Sequence, residues 1–362
     1  MKKYLPIILF IPILIFFVFT NYYIDPANLF HDANEEIAKE ILNGNKVYIT
    51  SGNGDERAVK EKLIQNMPKE VECIAVGPSL VMGVRAEDVG TDEYYNLGVS
   101  AADYYDILGQ LGLMEANGIE YKRLVFCVDS YFFLEEIYDN PDRARNGQLM
   151  PYAKYMLSIL DGNNEEIPSE KESNIDITEI EQLFSVTYFQ SAKTQVELSG
   201  SYLREERWGI VGEDFSEMDY PHYWEDGSWV YAKSYQARTV DDVIATSKEY
   251  DLSSVFVKGS HMSSESKVTF EKLLEYLLKK GVEVDLYLCP LTPTLWDRLE
   301  MEMESYPIVT ELETYAYDIA DKYSLNIIGS YNPYNVGILD EDFYDARHVR
   351  HEKLSTYFQF KH

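Results

Sequence analysis

Five short apolar runs recur along the chain, at residues 71–77 (VECIAVG), 94–97 (YYNL), 122–128 (KRLVFCV), 282–289 (VEVDLYLC) and 324–328 (SLNII), with helix-patterned segments between them. Several runs are apolar at consecutive positions, so both faces of the strand need cover, and a parallel sheet between helical layers supplies it. The helical patterns at 101–117 and 265–280 are followed by Gly118 and Gly281, where a left-handed residue ends a helix. The alternation predicts a three-layer α/β/α fold around five parallel strands. In such sheets ligands sit outside the carboxyl ends of the strands. The first run stops at Gly77-Pro78-Ser79, a break that sets a serine on that edge.

The alternation lapses from about 131 to 255. This insertion, at the end of the third strand, holds an acidic tract at 161–174 and an aromatic stretch at 220–235. It contains three of the four tryptophans, Trp208, Trp224 and Trp229. Asp226-Gly227 between aromatic flanks has the composition of a hairpin turn. The insertion is expected as a lid or substrate-binding subdomain on the face of Ser79. Trp224 and Trp229 could stack on sugar rings there, or equally build the core of a hairpin.

Residues 4–20 carry no charge and follow Lys2 and Lys3. Extended to Ile24, the run approaches the roughly 20 residues a membrane-spanning helix needs. Pro6 and Pro12 are compatible with such a helix, and Tyr22 and Tyr23 suit its interfacial end. A cleaved signal peptide competes with this reading, but no small-x-small site follows, so the expectation is an uncleaved anchor at 1–25, a membrane-proximal connector at 26–70 that could pack on the main domain, and a main domain at 71–362 outside the cytoplasm. The whole chain balances 32 basic against 62 acidic residues, a net charge of −30. That surface repels phosphate backbones and argues against nucleic-acid binding. Cys73, Cys127 and Cys289 lie inside apolar runs and read as small buried hydrophobes.

Acyl transfer by serine needs a base, usually histidine, oriented by a carboxylate. Of six histidines, His348 stands three residues after Asp345 in F343-Y-D-A-R-H-V-R-H351. On a turn leading into a helix, that spacing lets the carboxylate reach Nδ1 and turns Nε2 outward. The same residues have plainer readings: Ser79 as a helix N-cap, and Asp345 with His348 as a surface ion pair. His351 adds a metal alternative, which no other His/Cys cluster supports.

Gly77-Pro-Ser79 after the first strand, Y95-N-L-G-V-S-A-A102 after the second and D345-A-R-H348 near the C-terminus together resemble the SGNH (GDSL-like) hydrolase superfamily. The nearest type is the membrane-anchored one associated with O-acylation of cell-surface polysaccharides, where N21-Y-Y-I-D-P26 follows the anchor. The resemblance implies a flavodoxin-like sheet, with Ser79 as nucleophile, His348 as base and Asp345 as its orienting acid. It implies an oxyanion hole from the Ser79 N–H and an N–H of the loop after Asn96, at Gly98 or Ala101. Asn96 and Asp129 join Trp224 and Trp229 as candidate substrate-binding residues. The sequence departs from the family where its loop glycine falls at Ala101, and where Asp129-Ser130 replaces the Gly-x-Asn-Asp block. The implied function is a membrane-tethered esterase or acyltransferase acting on a cell-surface carbohydrate polymer, partnered by a membrane-bound O-acyltransferase. The alternative is a catalytically silent partner that binds glycan or transferase. No metal or organic cofactor is implied.

Overall fold

The structure is a computed structural model that describes residues 5–27, 29–31, 33–50, 55–134, 149–163, 165–168, 177–199, 207–212 and 218–358. Its strands are β1 (Val47–Ile49), β2 (Glu70–Val76), β3 (Tyr94–Asn96), β4 (Glu120–Cys127), β5 (Trp208–Ile210), β6 (His222–Tyr223), β7 (Trp229–Val230), β8 (Glu283–Leu288) and β9 (Asn326–Gly329). Five of them form one sheet in the order β3-β2-β4-β8-β9, with every neighbouring pair parallel. Counted along the chain this is the 2-1-3-4-5 order of a doubly wound sheet, whose ligand crevice opens between its first and third strands. Here those strands are β2 and β4.

The apolar runs have the dyad meaning expected of doubly covered strands. Ile74, Val76, Leu124, Phe126, Leu286 and Leu288 belong to the larger core. Cys73, Ala75, Val125, Cys127, Tyr287 and Cys289 belong to the smaller core on the opposite face. Both sets are buried, each aliphatic contributing about 1.5–3 kcal/mol. The three cysteines are unpaired within the smaller core.

The helices start where a cap dictates. Helix Tyr104–Ala116 begins three residues later than its apolar pattern, because the Asp103 carboxylate accepts the N–H groups of Tyr105 and Asp106. Gly118 follows it at φ 61°, with Ile119 N–H bonded back to Met114 O. Helix Ser264–Lys279 is likewise capped by Ser263 and followed by Gly281.

Residues 26–70 pack on the main domain. Ile37, Ile41, Val59, Leu63 and Ile64 are buried in the larger core, and β1 lies inside a second, antiparallel sheet of order β5-β1-β6-β7. The described parts of the insertion pack in more than one place. Helix Met150–Leu160 packs on helix Tyr104–Ala116, so close that a Cβ on Gly112 would lie 2.1 Å from Tyr152 O. Asp226-Gly227 forms the turn between β6 and β7, with Gly227 at φ 79°. Half of the acidic tract at 161–174 lies outside the described residues.

The apolar N-terminal run forms helix Leu5–Ile24. Its side chains are described from Ile11 onward, and Ile13, Ile15, Phe16 and Phe19 are exposed. Among the described residues no helix is long and apolar enough to cross a membrane. N21-Y-Y-I-D-P26 builds a buried joint with the insertion. Asn21 Nδ2 donates to the carbonyls of Gln182, Leu183 and Ser185, and Asp25 accepts from the Tyr188 hydroxyl at 2.6 Å. Phe17 stacks on Phe189 at 4.8 Å between centroids.

Candidate active site

Ser79 stands at the carboxyl end of β2 for a local steric reason. A Cβ on Gly77 would fall 2.5 Å from Cys127 Cβ on neighbouring β4, and Gly77 has φ 143°, which side-chain-bearing residues avoid. Pro78 is extended, and Ser79 opens the one-turn helix Ser79–Met82. The Ser79 backbone N–H finds no acceptor among the described residues, as expected at a first helical position.

His348 arrives on a tight reversal. Phe343 and Val349 bridge antiparallel, and the Tyr344 N–H donates to His348 O at 2.8 Å. At the tip, Asp345 Oδ1 accepts the N–H groups of Arg347 and His348, both at 2.8 Å. Its Oδ2 lies 2.8 Å from His348 Nδ1, and His348 Nε2 lies 2.9 Å from Ser79 Oγ. A carboxylate accepts only, so Nδ1 carries the hydrogen and Nε2 is left to accept from the serine hydroxyl. Three side chains separated by up to 269 residues thus form one hydrogen-bonded line. Burial by itself would raise the Asp345 carboxyl. The adjoining His348 and the hydrogen bonds from His348, Tyr235 and the Arg347 N–H outweigh it and hold the carboxyl well below its usual range.

The expected oxyanion loop divides. The Gly98 N–H donates to Asn96 Oδ1 at 2.9 Å, so it is spent. Ala101 holds φ 48°, the left-handed conformation a glycine would take for nothing, and its N–H finds no acceptor among the described residues. Ser100 N–H and Oγ beside it bind the buried Glu56 carboxylate at 2.8 and 3.1 Å.

Two expected substrate contacts are structural instead. Asn96 is fully buried, and its Nδ2 donates to the carbonyls of Val81 and Val84 at 2.8 and 2.9 Å, bracing the turn after Ser79. Asp129 is buried beyond β4, where its Oδ2 accepts from Arg347 Nη2 at 2.8 Å and so pins the Asp345–His348 tip to the sheet. Trp229 is 6% exposed and packs edge-on against Tyr223, chiefly a core residue. Trp224 is half-buried. With Ser79, Arg85, Tyr231 and His348 it lines a pocket of about 280 Å³, near the lower end for small-ligand sites.

Several site residues were not identifiable from their sequence neighbourhood. The Tyr235 hydroxyl donates to Asp345 Oδ2, and Tyr231 lies 5.6 Å from the His348 ring. Both belong to the aromatic stretch at 220–235, but nothing local assigns them to residue 345 or 348. Lys60, 1% exposed, donates to Asn96 O at 2.6 Å and to Gly227 O. Asp226 accepts the Ala86 N–H at 2.9 Å. Together they lock the β6–β7 turn against the loop after Ser79. His351 meets Glu87 at 2.8 Å and is no part of the Asp345 group.

No family model matches the chain, and no curated protein matches it.

Proposed function

We propose that the chain is a serine acyl esterase or acyltransferase of the SGNH type, tethered outside the cytoplasm by its N-terminal helix and acting on a cell-surface carbohydrate polymer. The observation that carries this reading is the Ser79–His348–Asp345 line, with steps of 2.9 and 2.8 Å, at the mouth of a pocket on the carboxyl edge of a parallel sheet. Ser79 Oγ attacks the acyl carbonyl while its proton passes to His348 Nε2. Asp345 stabilises the resulting imidazolium, and the N–H groups of Ser79 and Ala101 are the candidates to receive the oxyanion. His348 then returns the proton to the leaving oxygen, and water or a sugar hydroxyl takes the acyl group from Ser79 by the reverse sequence. The exposed apolar face of helix Leu5–Ile24 supports a tether. Such a tether would hold the site near a membrane-bound acyl donor, with a membrane O-acyltransferase as partner.

A second reading, a glycan-binding partner without turnover, is favoured by one observation. Asn96 and Asp129 spend their side chains on structural contacts and Gly98 spends its N–H, which thins the oxyanion hole. A fluorophosphonate probe separates the two. Labelling of the full chain that disappears in Ser79→Ala is expected, and a native chain that stays unlabelled while binding glycan overturns the catalytic reading.

A further inference from the structure

The wall of the pocket beside Ser79 carries Arg85 and Trp224, and a second cation, Lys46, joins that indole from outside the lining. In a protein of net charge −30, two cations converge on one indole. Lys46 Nζ lies 3.3 Å from the Trp224 ring centroid and Arg85 Cζ lies 4.2 Å from it. Among the described residues no carboxylate lies within 4 Å of the Lys46 ammonium, and the Arg85 guanidinium has only Glu87, at 3.8 Å. Glu87 is itself mostly exposed and engaged by His351 at 2.8 Å. Arg85 Nε is buried without a hydrogen-bond partner. The Arg85 backbone is held in place, its N–H donating to Asp88 Oδ2 at 2.8 Å and the next N–H to Asp226 at 2.9 Å. Each cation is held against the indole by attraction to its π face. The neighbouring His222 is pushed down to about 4, first by burial and then by Arg85 and Lys46, which agrees with a positive field here.

We propose that Lys46 and Arg85, gathered on Trp224, form an anion subsite for a carboxylate or phosphate carried by the sugar substrate next to the reacting ester. This rests on the Ser79 reading above and adds a substrate class to it. Arg85 and Trp224 line the same pocket as Ser79 and His348, so an anion held there sits beside the scissile group. The guanidinium is the group suited to grip two oxygens at once, and Lys46 adds a point charge. Glu352, also on the pocket wall, would disfavour a substrate with a second negative charge on its side.

The test compares the full native chain with Arg85→Gln, Lys46→Gln, the double variant and Arg85→Lys. The substrates are acetylated oligogalacturonate, an acetylated sugar phosphate and acetylated xylo-oligosaccharide. The native chain should favour at least one anionic ester over the neutral one by about tenfold or more in kcat/KM, and the double variant should lose that preference. Arg85→Lys should keep more of it than Arg85→Gln. Raising salt from about 50 to 500 mM should erode it. The two anionic esters distinguish carboxylate from phosphate. In parallel, calorimetry on Ser79→Ala measures binding of the same oligomers without acetyl groups. Anion-selective binding that the double variant loses, with no ester turned over, keeps the subsite and removes the catalytic reading. Turnover without anion preference, or a preference that both substitutions leave intact, overturns the subsite.

Discussion

The Tyr235 hydroxyl donates to Asp345 Oδ2, the same oxygen that faces His348 Nδ1. A residue of the insertion therefore reaches across 110 positions to hold the carboxylate that orients the imidazole. Its segment is fixed by Arg350, whose guanidinium donates to the carbonyls of Gln236 and Arg238 at 2.7 and 2.6 Å. Tyr235 is a positioning residue: it acts through Asp345. Tyr235→Phe should lower kcat by about tenfold with KM little changed, since the lost contact holds the base and not the substrate. A fall in KM-dependent terms alone would contradict this role.

Asp345→Asn should leave the fold intact and reduce turnover by about 10⁴, because an amide can donate to Nδ1 and leave the wrong ring nitrogen facing the serine. The same substitution has a stability signature. The folded carboxyl lies below its unfolded value of about 4, so the folded state is favoured above that pH. The contribution is lost as pH falls below about 4. The melting-temperature gap between native and Asp345→Asn should be constant above about pH 5 and shrink in more acidic buffer.

Lys60 is buried, and burial pushes its ammonium down to about 7, against the opposing pull of Asp226 and Glu56. Between that value and the unfolded pKa of about 10.4, the unfolded chain holds a proton that the folded chain lacks, so raising the pH favours folding. Native protein should therefore gain stability from pH 7 to 10 relative to Lys60→Met, by about 1–3 kcal/mol in denaturant titrations. A gap that does not change with pH would refute the assignment. Lys60→Met should also loosen the Gly227 turn, which chemical denaturation at pH 7 reads as a loss of about 1–3 kcal/mol.

Ala101 pays for a left-handed backbone that glycine takes without strain, so Ala101→Gly should raise stability by about 1 kcal/mol. Gly77→Ala should do the opposite. Its Cβ would meet Cys127 Cβ at 2.5 Å, and the overpacking should cost about 1–3 kcal/mol. It should also displace Ser79 enough to slow fluorophosphonate labelling. Thermal melts and labelling rates check both.

Arg347→Met should be among the most damaging substitutions outside the Ser79–His348–Asp345 line. It leaves the Asp129 carboxylate, 4% exposed, without its ion-pair partner, at a cost of about 3–5 kcal/mol. The Asp345–His348 tip would lose its tie to β4. Replacing both members, with Asp129→Leu alongside, should recover much of the stability and little of the turnover.

The five parallel strands were legible because several runs are apolar on both faces and helical patterns alternate with them, and a doubly covered strand has few other homes. Ser79 was legible through Gly77-Pro78, and Asp345 with His348 through a three-residue spacing that a local turn can close. These are short-range facts, set by backbone geometry and by the need to bury apolar surface. The sequence also suggested Asn96 and Asp129 as substrate contacts. That reading gave way to packing, because nothing local tells whether a polar side chain will face a pocket or a buried carbonyl. Only the tertiary structure assigned Asn96 to the turn after Ser79, Asp129 to Arg347, and Tyr235 to Asp345. It alone gathered Lys46 and Arg85 on Trp224. Such pairings join residues tens to hundreds of positions apart, and their partners are chosen by which buried polar groups still need one once the core has closed.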